Sequence, residues 1–203
     1  MSLRGLIGEQ LILATHNAGK VAELEALLAP LGIAVSAAAA HGLPEPEESG
    51  TTFEENAAIK AETAAAATGV PALADDSGLA VAALDGAPGV HSARWAGPTR
   101  DFGAAMARVL EELGDAPSRE AAFVTVLALA IPGRPTSTFE GRCEGRICAQ
   151  PRGDRGFGYD PIFMPAEGDG RTFGEMTADE KSGGAAPLSH RARAVAKFVR
   201  MLA

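Results

Sequence analysis

Asp75 and Asp76 close an apolar run and are followed by Ser77-Gly78. Adjacent carboxylates repel unless a cation or solvent compensates, and Mg2+ takes one or two carboxylates together with waters and phosphate oxygens. The pair therefore reads either as a metal-assisted phosphate site or as a solvated Asx turn. Upstream, Glu45, Glu47 and Glu48 offer a further metal ligand or a solvated face. Thr15-His16-Asn17-Ala18-Gly19-Lys20 lies between an apolar run and a helical pattern, where backbone N–H groups and the helix dipole attract phosphate. The Walker pattern fails there, because Ala14 and Val21 stand where it needs Gly and Ser or Thr. A P-loop NTPase is disfavoured, leaving a different phosphate loop or a plain strand-to-helix turn.

Further along the chain, Phe53, Asn56 and Lys60 share one helical face, making Lys60 a phosphate ligand or a surface cation. Gly156-Phe157-Gly158-Tyr159-Asp160 sets two of the ten aromatic residues among glycines. One ring there can stack on a base while Asp160 bonds its edge, or the segment is a turn with a buried ring. His190 and Arg191 begin the last helix, where cations oppose the dipole. Donors in that position suit an anion or a carbonyl docked at the helix start, or belong to a basic solvated helix. Cys143 and Cys148 stand five apart on a predicted strand, facing opposite sides without metal-ligand neighbours, and read as inert thiols.

Residues 10–14 form the strand that must position the first loop, and Val21, Leu24, Leu27, Leu28 and Leu31 the helix after it. Residues 33–40 read as a second strand, followed by an acidic loop at 44–49. Thr52 with Glu55 is a capping box for a helix over 53–67, ended by Gly69 and Pro71. A strand over 71–83 is interrupted at Asp75-Asp76-Ser77-Gly78, and 86–97 is a glycine-rich loop. An amphipathic helix over 102–113 precedes strands at 121–131 and 136–142, joined by Pro132-Gly133-Arg134-Pro135. The apolar run 161–164 and a helix from Ser189, buried through Val195, Phe198, Val199 and Leu202, complete the chain. Alternating helices and strands with hairpins imply a mixed α/β sheet covered by helices.

The chain has 203 residues, 46% hydrophobic and 22% charged, with 24 glycines and 13 prolines, the profile of a folded globular protein. A net charge of −8 argues against nucleic acid polymers and anionic membranes as partners. That total conceals a basic tail: residues 181–203 carry five cations and no acid, leaving −13 on the rest. No apolar stretch is long enough to span a bilayer, and residues 1–10 lack the apolar core of a signal peptide. The expected location is cytoplasmic.

In their order, these segments resemble the inosine triphosphate pyrophosphatase family, which hydrolyses non-standard purine nucleoside triphosphates. The resemblance is carried by Leu13 to Lys20, Gly50-Thr51-Thr52-Phe53-Glu54-Glu55-Asn56-Ala57 with Lys60, and Ala74-Asp75-Asp76-Ser77-Gly78-Leu79. Gly86-Ala87-Pro88-Gly89-Val90 with Ser92-Ala93-Arg94, Gly156-Phe157-Gly158-Tyr159-Asp160-Pro161 and Ser189-His190-Arg191 continue it, so it spans nearly the whole chain. It implies one domain over 1–203 with an elongated mixed sheet flanked by helices, two lobes with the active site in the cleft between them, and a homodimer. The implied reaction is Mg2+-dependent cleavage of ITP, dITP or XTP to the monophosphate and pyrophosphate. Within that resemblance, substrate is bound by Thr15, His16, Asn17, Ala18, Gly19, Lys20, Lys60, Ser77, Phe157, Gly158, Tyr159, Asp160, Lys181, His190 and Arg191. Glu48, Asp75 and Asp76 hold the metal, and Asp76 activates the attacking water. His16 stands where the family usually has glycine, and residues 183–187 read as a loop inserted between Lys181 and His190. Two rival readings are a pyrophosphatase of modified pyrimidine nucleotides and a non-catalytic nucleotide- or RNA-binding protein.

Overall fold

The computed structural model describes residues 5, 7, 8, 10–184 and 186–202, so Ala185 of the inserted loop and most of residues 1–10 lie outside the described residues. Six strands form one sheet in the order β2-β1-β3-β4-β5-β6: β1 Gln10–Leu13, β2 Ala34–Ala37, β3 Ala72–Val81, β4 Glu120–Ala130, β5 Ser137–Ile147 and β6 Phe163–Pro165. The sheet is mixed, because β1 runs parallel to β2 and β3 while β5 and β6 are antiparallel. The helices are α1 Ala18–Leu28, α2 Phe53–Thr68, α3 Ser92–Trp95, α4 Phe102–Leu113, α5 Ala178–Ser182 and α6 His190–Leu202. No helix among the described residues is long and apolar enough to cross a membrane.

The chain divides into two compact units. One comprises Met1–Asp76, Thr125–Gly141 and Ala194–Ala203. In it, strand alternation sorts the core into two faces. Leu11, Leu13, Leu73, Leu127 and Leu129 pack with Leu24 and Leu28 of α1 and with Val195, Phe198 and Leu202 of α6. Ile12, Ala72, Ala74, Val126, Ala128 and Ala130 pack with Ala57, Ala61, Ala64 and Ala65 of α2. Small side chains on both partners bring α2 close to the sheet. Each fully buried leucine of the first face contributes about 1.5–3 kcal/mol. The capping box starts α2 as the sequence predicts: the Thr52 hydroxyl accepts from Glu55 N–H, and Glu55 accepts from Thr52 N–H.

The other unit comprises Ser77–Val124 and Arg142–Arg193. Its core gathers Phe123, Phe163 and Phe173, with ring centroids 4.6–6.0 Å apart, beneath Ala105, Val109 and Leu113 of α4. Asp101 caps α4 by accepting from Ala104 N–H at 3.0 Å.

Two expectations need correction. β3 runs through Asp75-Asp76-Ser77-Gly78 without interruption, and both aspartates are buried, so the segment is not a solvated turn. Turn-favouring composition yields here to ladder pairing and to counter-ions described below. The predicted second strand at 33–40 stops at Ala37 and becomes a 3-10 turn over Ala38–His41.

Candidate active site

Because Asp75 and Asp76 are consecutive in a strand, they leave β3 on opposite faces. Asp75 shares its face with Leu73 and forms an ion pair with Lys20, near the start of α1. Asp76 shares its face with Ala74 and meets Lys60 from α2, whose ammonium donates to Asp76 Oδ1 at 2.7 Å and to Glu48 Oε1 at 2.9 Å. The expected metal set is therefore split: Glu48 and Asp76 share one cation, while Asp75 sits with Lys20. Among the described residues, no group of three or more His, Cys, Asp and Glu side chains is arranged to hold a metal ion. Lys20 also acts on Asp76, so its charge serves both carboxylates.

Burial by itself would lower the Lys60 pKa, but Asp76 and Glu48 outweigh it and hold the ammonium above the usual lysine range. Burial raises the Asp76 carboxyl above its ordinary range, against the pull of Lys60 and Lys20. Among the described residues, Asp76 Oδ2 is buried and accepts no hydrogen bond, which leaves a carboxylate oxygen available for a cation or a proton. Mg2+ accepts one or two carboxylates and keeps several waters, and Glu48 and Asp76 already flank one positive charge. These two residues fit such an ion, with Lys60 marking the place of the charge.

The loop ahead of α1 is organised by Asn17, whose Oδ1 accepts from Gly19 N–H at 3.0 Å and Lys20 N–H at 3.2 Å. Asn17 N–H in turn donates to Thr15 Oγ1. Two of the N–H groups expected to face phosphate are thus taken by the cap, and Ala18 and Gly19 form the first turn. His16 Nε2 donates to the Leu43 carbonyl at 2.8 Å.

In the second unit, Asp160 Oδ2 accepts from Lys181 Nζ at 3.0 Å and from Phe157 N–H at 3.3 Å, so Lys181 joins the Phe157 loop despite the insert that follows it. Gly156 is required at this point: a Cβ would lie 1.9 Å from Asp160 Oδ2, and its φ is +77°. Gly158 also has positive φ, which turns the loop. Phe157 is 40% exposed, whereas Arg191 is buried with its guanidinium 5.7 Å from the Phe157 ring centroid and donates to Ser77 Oγ at 2.9 Å. His190 stacks on Phe123 at 4.7 Å. The Tyr159 expectation is corrected for its side chain, which is buried with its hydroxyl donating to the Ser92 carbonyl at 2.8 Å and its ring edge-on to Phe102. An aromatic ring with a satisfied hydroxyl anchors the loop in the core.

The residues from 11 to 201 match the model of the Ham1 family. The chain belongs to the Ham1 family. A dITP/XTP pyrophosphatase from Gluconobacter oxydans is 54% identical over 192 residues, covering 95% of this chain and 90% of that protein. Among solved Ham1 structures, a HAM1 protein from Coxiella burnetii superimposes with a TM-score of 0.87 at 41% identity, covering 96% of this chain and 98% of that one. The Ham1 protein of Staphylococcus aureus gives 0.84 at 34% identity, covering 95% and 97%. The mixed sheet flanked by helices is the Ham1 fold.

Sequence reasoning did not give Asn56 and Ser92 a role. Asn56 Oδ1 accepts from Gly50 N–H at 2.8 Å, and the signal was its position one turn before Lys60 on α2. Ser92 Oγ accepts from Leu79 N–H and donates to the Gly89 carbonyl, a link between distant segments that no local pattern reveals.

Proposed function

We propose that this chain hydrolyses the non-standard purine nucleoside triphosphates ITP, dITP and XTP to the monophosphate and pyrophosphate. The observation that carries the reading is Lys60 between Glu48 and Asp76, with a second lysine, Lys20, on the other face of the same strand. Phosphoryl transfer asks for charge neutralisation and an oriented water rather than a covalent nucleophile. The family relationship, and the name of the Gluconobacter relative, support the substrate class.

Lys20 and Lys60 bind the phosphate oxygens, and Thr15 and Asn17 fix the loop from which Lys20 projects. Asp75 serves as the counter-ion that orients Lys20. Glu48 and Asp76 would hold Mg2+, which supplies neutralisation of phosphate charge. Asp76 takes a proton from the attacking water. As water oxygen bonds to phosphorus, the bond to the pyrophosphate oxygen breaks, and the lysines neutralise the departing charge.

Base recognition falls to Phe157, exposed for stacking, and to Arg191, with Ser77, Asp160, Lys181 and His190 around them. Arg191 donors bond a 6-oxo group, whereas the 6-amino group of adenine leaves them unpaired, a penalty that supports discrimination of order 10⁴. Lys181 and Arg193 of the basic tail are paired with Asp160 and Glu167, which counts against RNA binding by that tail. A cytoplasmic homodimer belongs to the same reading and rests on the sequence resemblance.

The test is pyrophosphate release from ITP, XTP, dGTP, ATP and UTP with Mg2+, for wild type and Asp76→Asn. ITP and XTP are expected to lead, with kcat falling about 10²–10⁴-fold in the variant. Equal rates on all five nucleotides, or an unimpaired variant, would overturn the proposal.

A further inference from the structure

The segment 43–50 is neither helix nor strand, yet it carries Glu48 to Lys60. Glu45 and Glu47 are exposed on it, and only Glu48 of the three acids is turned inward. Such a segment has no ladder to fix it, so its position depends on bonds to neighbouring elements. Among the described residues, a side-chain bond to the backbone stands at each end. At the start, His16 Nε2 donates to the Leu43 carbonyl at 2.8 Å. A carbonyl only accepts, so that nitrogen carries hydrogen, and neutral and protonated rings serve equally. At the end, Gly50 N–H donates to Asn56 Oδ1 at 2.8 Å. Asn56 is fully buried, and a Cβ on Gly50 would come within 2.6 Å of both that oxygen and Glu55 Cβ. The chain therefore seats against α2 more closely than any residue but glycine permits. Lys60, one turn beyond Asn56, then finds Glu48 two residues before Gly50.

We propose that His16 and Asn56 are positioning residues that clamp the acidic segment at both ends, so that Glu48 reaches Lys60 and Asp76. On this account the His16 side chain holds protein rather than nucleotide, and glycine in its place leaves the start of the segment untied. The metal-binding part of the claim rests on the proposed role of Glu48; the clamp itself does not.

Two readouts test it, both without turnover. The first is Mn2+ binding by calorimetry to wild type, His16→Ala, His16→Gln and Asn56→Ala. The second is cleavage of the metal-free proteins after Glu47 by a glutamate-specific protease, the Glu45–Pro46 bond being resistant. Losing one clamp bond is expected to weaken Mn2+ binding about 2- to 12-fold and to speed cleavage to a similar degree. His16→Gln, whose amide nitrogen mimics Nε2, is expected to restore most of both. In steady-state assays, the apparent Mn2+ affinity falls by more than the KM for ITP rises. Asn56 is buried and its variant tests folding as well, but His16 is partly exposed, so its variants decide the matter. Unchanged cleavage in His16→Ala overturns the clamp. A rise in KM for ITP with unchanged Mn2+ affinity overturns it too, by making His16 a substrate contact. Absence of Mn2+ binding in wild type defeats the metal role of Glu48, and the cleavage rates still decide the clamp.

Discussion

Replacing Lys60 with Met keeps the apolar stem and removes the charge between Glu48 and Asp76. Glu48 is 27% exposed and regains water, whereas Asp76 is 7% exposed and stays buried. Removing one partner of a buried pair costs about 3–5 kcal/mol. A ceiling follows from protonation. A stranded Asp76 takes up a proton rather than remain charged, and from an ordinary pKa of about 3.9 that costs 1.36 kcal/mol per pH unit, or about 4 kcal/mol at pH 7. At pH 5 the same ceiling is about 1.5 kcal/mol. The sign is that of a carboxyl raised in the folded state: its stability contribution is intact below the unfolded pKa and is lost as pH rises toward the folded one. Chemical denaturation of Lys60→Met without divalent ions should therefore show a deficit of about 3–4 kcal/mol at pH 7 that shrinks toward pH 5. For a chain of this size, that corresponds to a Tm lower by about 6–16 °C at neutral pH. Adding Asp76→Asn should return more than half the loss, because the stranded charge is gone. A deficit under about 1 kcal/mol at pH 7, or one that neither acid nor the second substitution relieves, would refute the argument that this lysine neutralises a buried carboxylate.

Arg191→Lys keeps a charge but loses the planar fork that reaches Ser77. The ITP-to-ATP ratio of kcat/KM is expected to fall about tenfold or more, as for one lost charged hydrogen bond, and an unchanged ratio would move recognition to the backbone. Cys143 is buried, and burial pushes its thiol up to about 12, while Cys148 is partly exposed. Keeping the Cys143 thiol neutral supports the fold below the ordinary thiol pKa, and that support fades as pH rises toward the shifted value. With an aromatic disulfide reagent at pH 8, one thiol per chain should react with native protein and the second only on unfolding; two equal fast rates would contradict the buried assignment.

Much of the framework was legible in the sequence. The Thr52–Glu55 box placed the start of α2 at Phe53, as observed, and the apolar spacing over 102–113 matches α4. Strand β4 lies within one residue of the predicted 121–131. These succeed because capping and amphipathic periodicity act over three to seven residues. Residues 75–78 misled for the complementary reason. Asp, Ser and Gly favour turns locally, but Asp75 and Asp76 each meet a lysine from a different helix, so charge no longer opposes burial in a strand.

The sequence by itself determined the order of motifs, the cap that starts α2, the apolar faces of the helices and the residue types of a phosphate-handling site. Only the tertiary structure decided the partners. It gave Lys20 to Asp75, placed Lys60 between Glu48 and Asp76, buried Tyr159 on Ser92 and tied His16 to Leu43. A side chain's type and period fix which face it leaves by, but an ion pair or hydrogen bond also needs the other group within about 3 Å. For residues 12 to 67 positions apart along the chain, only the packing of helices on strands sets that distance.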